Sequence, residues 1–356
     1  MDIRELLTVT LARNASDLHI LPKHVPTLRL RGELHPMITF PQLEVGEIEQ
    51  MIFSLLSGTQ KELLIANKEL DFSTTIEPTV GEEVRFRVNA YYQKGMLSGS
   101  FRLIPSKIKT IEDLHLPLVL REFTKMRQGF ILLTGASGQG KSTTLASLIA
   151  EINLTRTTHI ITVEDPIEYV YPKGKSIISQ REMYQDTHSW RNALKNVLRE
   201  DPDIVYIGEM RDFETVSSAL TIAETGHLVF STLHTNTAAQ SIDRIIDIFP
   251  SSQQSQIRLQ LSMVISGIVT QRLVPSLAGD RVPVCEILLG TAPVKNTIRE
   301  GKTHLIDNII QTSADMGMIL FEDHLKQQVE KNLIHHDTAL EYALRPDRYL
   351  QLIKRS

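Results

Sequence analysis

The stretch that decides the fold of this chain is FILLTGASGQGKST, residues 130–143. It contains the pattern G-x-x-x-x-G-K-[ST] between an apolar run, which predicts a buried strand, and a stretch with the pattern of a helix. Glycines at 135, 138 and 140 allow the positive φ angles with which a loop turns its N–H groups toward phosphate oxygens. The helix N-terminus adds a favourable dipole. The stretch therefore predicts a strand, a phosphate-binding loop and a helix that bind a nucleoside triphosphate.

Two side chains of this loop carry most of the expected chemistry. Lys141 supplies a positive charge to the β- and γ-phosphates, and the hydroxyl of Ser142 is placed to ligate Mg²⁺. We therefore expect ATP and Mg²⁺ as cofactors. The alternative is a glycine turn followed by a surface lysine, which the flanking strand and helix patterns disfavour. The predicted nucleotide-binding residues of the loop are Gly135, Ala136, Ser137, Gly138, Gln139, Gly140, Lys141, Ser142 and Thr143.

The composition is that of an ordinary water-soluble protein, long enough for two domains. The 356 residues are 22% charged, with a net charge of −4, and no apolar run approaches the length of about 18 residues that a membrane span needs. The first residues lack the apolar core of a secretory signal. The single cysteine, Cys285, excludes an intramolecular disulfide and a multi-cysteine zinc site. We expect a cytoplasmic location and, given the acidic balance, no nucleic-acid partner.

The organisation along the chain predicts two α/β domains. Residues 1–104 alternate helical and strand-like stretches, which predicts a small first domain, and residues 105–118, with two prolines and several charges, predict a linker. Residues 119–356 alternate apolar strands with helices, so we expect a mostly parallel sheet covered on both faces. Its strands are expected at 129–134, 159–163, 204–207 and 228–232. Ligands of such sheets bind beyond the carboxyl ends of the strands.

An acidic group follows the second of these predicted strands, in IITVEDPIEY at residues 160–169. Glu164, Asp165 and Glu168 could there hold Mg²⁺, polarise a water molecule or bind a basic side chain of another subunit. The alternative is a solvated acidic loop before a proline turn.

A second carboxylate follows the next predicted strand, in DIVYIGEMRD at residues 203–212. Glu209 is expected to orient the attacking water or to accept its proton. Gly208 stands where such strands often carry a Mg²⁺-binding aspartate. The alternative role for Glu209 is a structural ion pair with Arg211.

Polar residues also end the fourth predicted strand, where Ser231, Thr232 and His234 are expected to sense the γ-phosphate through hydrogen bonds. His227, which precedes this strand, fits that site or a structural role equally well. Arginines on three predicted elements complete the candidates, because a guanidinium stabilises the charge of a phosphoryl transition state. They include Arg87, Arg102 and Arg199, for which ordinary surface charge is the alternative.

Taken in order, these motifs resemble the PilT branch of the secretion-type ATPases along nearly the whole chain. The matching stretches are ASDLHI at 15–20, RFRVNAY at 85–91, FRLIPSKI at 101–108, GASGQGKST at 135–143, ITVEDPIEY at 161–169, LREDPDIVYIGEMRD at 198–212, AETGHLVFSTLHTN at 223–236, QRLVP at 271–275 and IREGK at 298–302. The resemblance implies a PAS-like domain at 1–104, a linker at 105–118, and a RecA-like P-loop ATPase domain with a C-terminal helical region at 119–356.

The resemblance also implies roles for individual residues. Glu209 would be the catalytic glutamate, with Glu164 supporting it at Mg²⁺ and water. His227 and His234 would form a histidine box. Arg87 and Arg102 would reach the bound nucleotide from the N-terminal domain, and Arg199 would complete the site of a neighbouring subunit in a homohexameric ring.

The function implied by the resemblance is an ATP-driven motor for type IV pilus retraction and twitching motility. It would act at the cytoplasmic face of the inner membrane through a platform protein. The alternatives are an ATPase of a type IV secretion system and an accessory ATPase with weak turnover that assists a paralogous ATPase. Lys195 stands where a second arginine is common, and Ala292-Pro293 and Thr297 alter an apolar helix of retraction ATPases. The single cysteine excludes the four-cysteine zinc element of extension and type II secretion ATPases.

Overall fold

The computed structural model describes residues 2–30, 32–79, 82–104 and 107–354. The chain divides into two compact units. The first comprises Met1–Lys107 and Pro166–Val170, and the second comprises Ile108–Asp165 and Tyr171–Ser356. Both units combine helices with a sheet, and the predicted mixed α/β fold with a mostly parallel sheet is confirmed. No helix in the described ranges has the length and apolar character to cross a membrane.

The first unit contains a six-stranded antiparallel sheet with the strand order β3-β2-β1-β6-β5-β4. Cross-strand pairs such as Leu18–Phe101 and Phe101–Val88 bury one face, against which helices α1 and α2 pack their apolar stripes. The elements are α1 (Ile3–Ala12), β1 (Asp17–Ile20), β2 (Thr27–Leu30), β3 (Glu33–Pro36), α2 (Val45–Phe53), α3 (Gly58–Asn67), β4 (Glu69–Thr79), β5 (Glu82–Gln93) and β6 (Met96–Leu103).

The other face of this sheet is polar and carries the two arginines singled out from the sequence. A row of directly paired residues crosses it in the order Ser73, Arg87, Arg102, Asp17 and Arg29. Arg102 donates from Nε to Oδ1 of the buried Asp17 at 2.8 Å. Arg87 is half-buried, and it forms no ion pair with another residue of the described ranges.

The second unit is built on a seven-stranded sheet with the order β13-β12-β7-β11-β10-β8-β9. Every neighbouring pair is parallel except β12 and β13. The elements are α4 (Arg121–Lys125), β7 (Gly129–Thr134), α5 (Lys141–Thr155), β8 (His159–Glu164), β9 (Ile177–Glu182), α6 (Trp190–Val197), β10 (Ile204–Ile207), α7 (Phe213–Glu224), β11 (Leu228–Leu233), α8 (Ala238–Asp247), α9 (Ser251–Val264), β12 (Ile265–Pro275), β13 (Arg281–Leu289), α10 (Ala292–Arg299), α11 (Ile306–Thr312), α12 (Phe321–Glu330), α13 (His336–Tyr342) and α14 (Pro346–Lys354).

Both faces of this sheet are covered, as the continuous apolar runs predict. Alternate residues of β7 point to opposite faces: Leu132 enters a core with helices α6 to α11, and Ile131 enters a core with α4 and α5. The ends of β12 and β13 form a smaller core with helices α12 to α14. A sheet buried on both faces leaves its carboxyl edge as the place where polar side chains can gather.

Most of the segment predicted as a linker, residues 105–118, packs with the second unit. Ile111 and Leu116 are buried in the core that contains β7 and α5. The prolines and charges of the segment predict an inter-domain linker, and these two apolar side chains pack into a core of the second unit. Pro105 and Ser106 lie outside the described residues.

The helix expected to be altered near residue 292 forms regularly as α10. Pro293 lies in its first turn, where a missing N–H and a fixed φ are tolerated, and Thr291 precedes the helix. Val294 and Ile298 are fully buried. The substitutions at 292, 293 and 297 therefore keep the helix and its packing.

A partly buried charge cluster joins the C-terminal helices to the sheet. Arg345 donates from Nη1 to Glu322 Oε2 at 3.0 Å, forms an ion pair with Asp307, and has Nη1 3.7 Å from Glu286 Oε2. Glu286 and Glu322 are fully buried. Burial raises the pKa of Glu286 to about 7, although the hydrogen bond from the N–H of Ala238 and the charge of Arg345 oppose that rise.

We expect Arg345→Ala to be strongly destabilising. It leaves buried carboxylates without their cation, which typically costs about 3–5 kcal/mol. The measurement is the free energy of unfolding from denaturant titration. The matched control is Arg191→Ala, which removes an exposed ion pair with Glu214 and is expected to cost at most about 1 kcal/mol. Equal losses in the two variants would contradict a structural role for the cluster.

Candidate active site

The carboxyl ends of four adjacent strands bring most of the predicted site residues together. Strand β7 leads into the phosphate-binding loop, and its neighbour β11 leads to His234. The next strand, β10, leads to Glu209, and β8 ends with Glu164. Since all four strands run parallel, these groups meet along one edge of the sheet.

The phosphate-binding loop has the backbone that its glycines predict. Gly135, Gly138 and Gly140 have φ angles of 140°, 76° and 80°. Helix α5 begins at Lys141, whose ammonium donates to the carbonyls of Gly135 at 2.7 Å and Ala136 at 3.0 Å. The lysine is only 8% exposed. Its charge therefore lies inside the curve of the loop, where phosphate oxygens are bound in P-loop proteins.

Gln271 on β12 fixes this loop from the side, a role that the sequence did not suggest. Its Nε2 donates to the carbonyl of Gln139 at 2.7 Å, and its Oε1 accepts from the hydroxyl of Thr144 at 2.8 Å. The side chain of Gln139 in turn accepts from the N–H of Leu273 at 2.6 Å. A Cβ at Gly135 would lie 2.3 Å from the carbonyl oxygen of Gln271, so only glycine fits there.

We expect Gln271→Met to weaken nucleotide binding about tenfold. Methionine keeps the volume but leaves the buried Thr144 hydroxyl and the Gln139 carbonyl without partners, at about 1–3 kcal/mol each. Binding of a fluorescent ADP analogue measures the effect. The control is Gln254→Met, since Gln254 lies on α9, outside the loop, and donates to the carbonyl of Phe249 just before that helix. Unchanged affinity in the Gln271 variant would show that the loop keeps its shape without this contact.

Glu209 lies at the centre of a charged group. Its Oε1 is 3.0 Å from Nε2 of His234, and its Oε2 accepts from Nη2 of Arg211 at 2.7 Å. Burial alone would raise the pKa of Glu209, but the Arg211 hydrogen bond and charge, together with His234 and Lys141, leave the pKa below its ordinary value. Glu209 is therefore ionised at neutral pH and accepts hydrogen bonds. The ion pair with Arg211 that the sequence left as an alternative is present, and it coexists with the His234 contact.

Glu164 lies on the adjacent strand in a more enclosed position. Its Oε1 accepts from the hydroxyl of Thr162 at 2.7 Å and from Nε2 of Gln180 at 3.3 Å, and the residue is buried. Gly208 allows its own backbone to approach the backbone of Glu164 closely, because a Cβ at 208 would lie only 3.3 Å from Cα of Glu164. An aspartate at 208 would thus crowd the backbone of β8, and Glu164 supplies a carboxylate at this edge instead.

The residues present fit a magnesium–nucleotide complex. Ser142 lies in the first turn of α5, and its hydroxyl makes no hydrogen bond to any other described residue. Mg²⁺ is typically held by one or two protein oxygens, with phosphate and water oxygens completing six ligands. The described ranges hold no group of three or more His, Cys, Asp or Glu residues arranged for a metal ion.

Other predicted site residues lie elsewhere. His227 precedes β11, at the opposite end from His234, and its Nδ1 lies 3.1 Å from the carbonyl of Ile222 and 3.0 Å from the Thr225 hydroxyl. The structure does not bring it to Glu209. Arg199 is exposed just after α6. Arg87 and Arg102 belong to the first unit. The catalytic role of His227 and the roles of the three arginines stay predictions.

Comparison with known proteins identifies the family of this fold and site. The family model described as "Type II/IV secretion system protein" matches residues 2–341. This chain belongs to that family. The type IV pilus retraction ATPase PilT of Pseudomonas aeruginosa is 41% identical over 349 residues, which cover 98% of this chain and 100% of that protein. The twitching motility protein of Neisseria gonorrhoeae is 41% identical over 315 residues, covering 88% of this chain and 83% of that protein.

A solved structure shares the whole architecture. The crystal structure of the pilus retraction motor PilT with bound ADP matches with a TM-score of 0.91 at 40% identity, covering 99% of each chain. The predicted resemblance to the PilT branch is confirmed, and with it the fold of an N-terminal domain followed by a P-loop ATPase domain. As a member of the secretion ATPase family, the chain is an ATPase.

Proposed function

We propose that this chain is a Mg²⁺-dependent ATPase motor that retracts a type IV pilus and so supports twitching motility. The observation that carries the proposal is the set of Lys141, Glu209 and His234 at one edge of a parallel sheet. Such a set suits ATP hydrolysis, and it occurs in a chain that is 41% identical to a retraction ATPase over 98% of its length. The proposed location is the cytoplasmic face of the inner membrane, through a platform protein.

The geometry suits hydrolysis by positioning and charge. Lys141 neutralises charge on the β- and γ-phosphates, and loop N–H groups surround their oxygens. Ser142 would hold Mg²⁺ with support from Glu164, and the metal would supply positive charge to the phosphates. Glu209, kept ionised, accepts a hydrogen bond from the attacking water and orients it. Because the transition state of phosphoryl transfer is loose, orientation matters more than base strength.

We propose further that six copies form a ring in which the arginines complete the site. Arg87 and Arg102 lie on the polar face of the sheet in the first unit, and Arg199 is an exposed cation on the second unit. Guanidinium groups suit this task because they bind phosphate oxygens through two parallel N–H bonds. Hydrolysis would then change how the N-terminal domain is held and so produce movement.

We expect Arg87→Ala to lower the ATP turnover of the assembled protein about tenfold or more, because a guanidinium that stabilises the transition state is lost. Steady-state ATPase and the mass of the assembly are measured together. The control is Arg29→Ala on the same polar row, where the guanidinium donates to the carbonyl of Gly32. Unchanged turnover and unchanged nucleotide affinity in the Arg87 variant would count against the contact.

Pilus retraction tests the proposed function in cells. The gene is returned to the source bacterium after its deletion, as wild type or as Glu209→Gln, and retraction of labelled pili is recorded. Loss of retraction in the deletion, with rescue by the wild type alone, is the expected result. Normal retraction in the deletion would overturn the proposal.

An accessory ATPase is the second candidate, and a specific similarity favours it. The type IV pilus ATPase PilU of Pseudomonas aeruginosa is 36% identical over 344 residues, covering 96% of this chain and 89% of that protein. Two observations would favour this accessory role. The purified protein would fold and bind ATP but hydrolyse it negligibly alone, and retraction would require a paralogous ATPase.

A further inference from the structure

Thr232 contacts the backbone on both sides of Glu209. Its hydroxyl donates to the carbonyl of Gly208 at 2.6 Å, and its own carbonyl accepts from the N–H of Met210 at 3.3 Å. Glu209 is the residue between these two contacts. Thr232 itself is only 4% exposed, and its hydroxyl bond to the half-buried Gly208 is part-buried.

The neighbouring Ser231 makes a similar bond one residue earlier. Its hydroxyl donates to the carbonyl of Ile207 at 2.8 Å. A hydroxyl has one proton to donate, and both protons are used on the backbone of β10 and its extension. The sequence prediction that Ser231 and Thr232 sense the γ-phosphate by donating to it is therefore not supported by the geometry, and His234 is the member of this group that reaches Glu209.

The backbone at Glu209 needs such support because β10 ends at Ile207. On the β8 side the N–H of Gly208 donates to the carbonyl of Val163 at 2.8 Å. The side chain of Glu209 is held by Arg211 and His234, which are 74% and 44% exposed, and exposed ion pairs fix geometry weakly. The two contacts of the buried Thr232 fix the backbone of Glu209 from the β11 side.

We propose that Thr232 is a positioning residue for ATP hydrolysis, which fixes the peptide units flanking Glu209 and so aims its carboxylate at the attacking water. The inference rests on the proposed hydrolytic role of Glu209. A displacement of about 1 Å at a reacting group can lower a rate about 10²-fold. Loss of the Thr232 contacts therefore reduces kcat, while the phosphate-binding loop, which follows a different strand, continues to bind nucleotide.

The test uses Thr232→Val in the full-length protein. Valine is nearly isosteric and suits a strand, but it cannot donate to the Gly208 carbonyl. Thr232→Ser restores the donor. The matched control is Ser231→Ala, which removes the same kind of bond from the Ile207 carbonyl. ATP turnover, the KM for ATP, ADP affinity and thermal unfolding are measured for each.

We expect Thr232→Val to lower kcat about 10- to 100-fold, with the KM for ATP and the ADP affinity within about twofold of wild type. Thr232→Ser should recover most of the rate, and Ser231→Ala should keep it. If the valine variant unfolds, Thr232→Ala is used in its place. The inference then predicts a lower kcat with an unchanged KM for ATP in Thr232→Ala, and a restored kcat in Thr232→Ser.

Several outcomes would overturn the inference. A wild-type kcat in Thr232→Val would show that hydrolysis does not need the hydrogen bond from the Thr232 hydroxyl. Equal losses in Thr232→Val and Ser231→Ala would indicate general damage to the strand. Absence of turnover in the wild-type protein would instead remove the proposed hydrolytic function, and the inference with it.

Discussion

Glu209→Gln is expected to bind ATP normally and to lower kcat by about 10²- to 10⁴-fold, the range that a positioned proton acceptor contributes. Glutamine keeps the size of the side chain but loses the negative charge that holds water, His234 and Arg211 in place. Nucleotide affinity should change little, because the phosphates are bound by the loop on β7. Steady-state turnover and equilibrium binding, measured on the same preparation, separate the two effects.

The matched control for this substitution is Glu214→Gln on α7. Glu214 forms an exposed ion pair with Arg191, outside the site, so its turnover should equal that of the wild type. Turnover of Glu209→Gln within about twofold of wild type would contradict the catalytic assignment and leave Glu209 as the structural partner of Arg211.

The pH dependence of kcat is a second test of the role of Glu209. Burial opposes ionisation of Glu209, but Arg211, His234 and Lys141 together hold its pKa below the ordinary glutamate value. The carboxylate is therefore present at neutral pH and is lost only as the pH falls below that value. Arg211→Gln removes the strongest of the lowering influences, so the acid limb of kcat should move to higher pH.

Lys141→Ala is expected to abolish turnover by weakening ATP binding about 10²-fold or more. A charged hydrogen bond is typically worth about 1.5–3 kcal/mol, and the larger figure corresponds to about two decades of affinity. The buried position of Lys141 reduces screening by water. Titration with a fluorescent ATP analogue measures the affinity, and steady-state assays measure turnover.

Lys125→Ala is the control for the loss of a lysine. Lys125 forms an exposed pair with Glu122 on α4, and both its affinity and its turnover should match the wild type. Normal binding and normal turnover in Lys141→Ala would show that the glycine loop is not the nucleotide site. Normal unfolding temperatures in both variants exclude misfolding as the cause of a difference.

The parallel core of the ATPase unit was predictable because its strands are continuous apolar runs. The strands expected at 129–134 and 204–207 have those bounds in the structure. Helix α3 and strand β4 were not anticipated. Within α3 only Leu64 is buried, so no apolar stripe marks it. In β4 the polar Thr74 interrupts the apolar alternation, and the strand contains Pro78.

The main site residues were predictable for a related reason. Each follows a recognisable strand, and parallel strands place their carboxyl ends at one edge, so Lys141, Glu164, Glu209 and His234 were expected together. The role of Gln271 could not be predicted in this way, because its contacts with the loop join residues more than a hundred positions apart. The direction of the Thr232 hydroxyl likewise depends on the strand beside it, and a sequence pattern carries no information on that.

The most direct measurement is ATP hydrolysis by the purified full-length chain over a concentration series, with its mass in solution followed alongside. The expected result is Mg²⁺-dependent turnover that rises as a sixfold assembly forms and disappears in Glu209→Gln. A folded sixfold assembly that binds ATP without hydrolysing it would contradict the motor, and turnover that survives in Glu209→Gln would contradict the site.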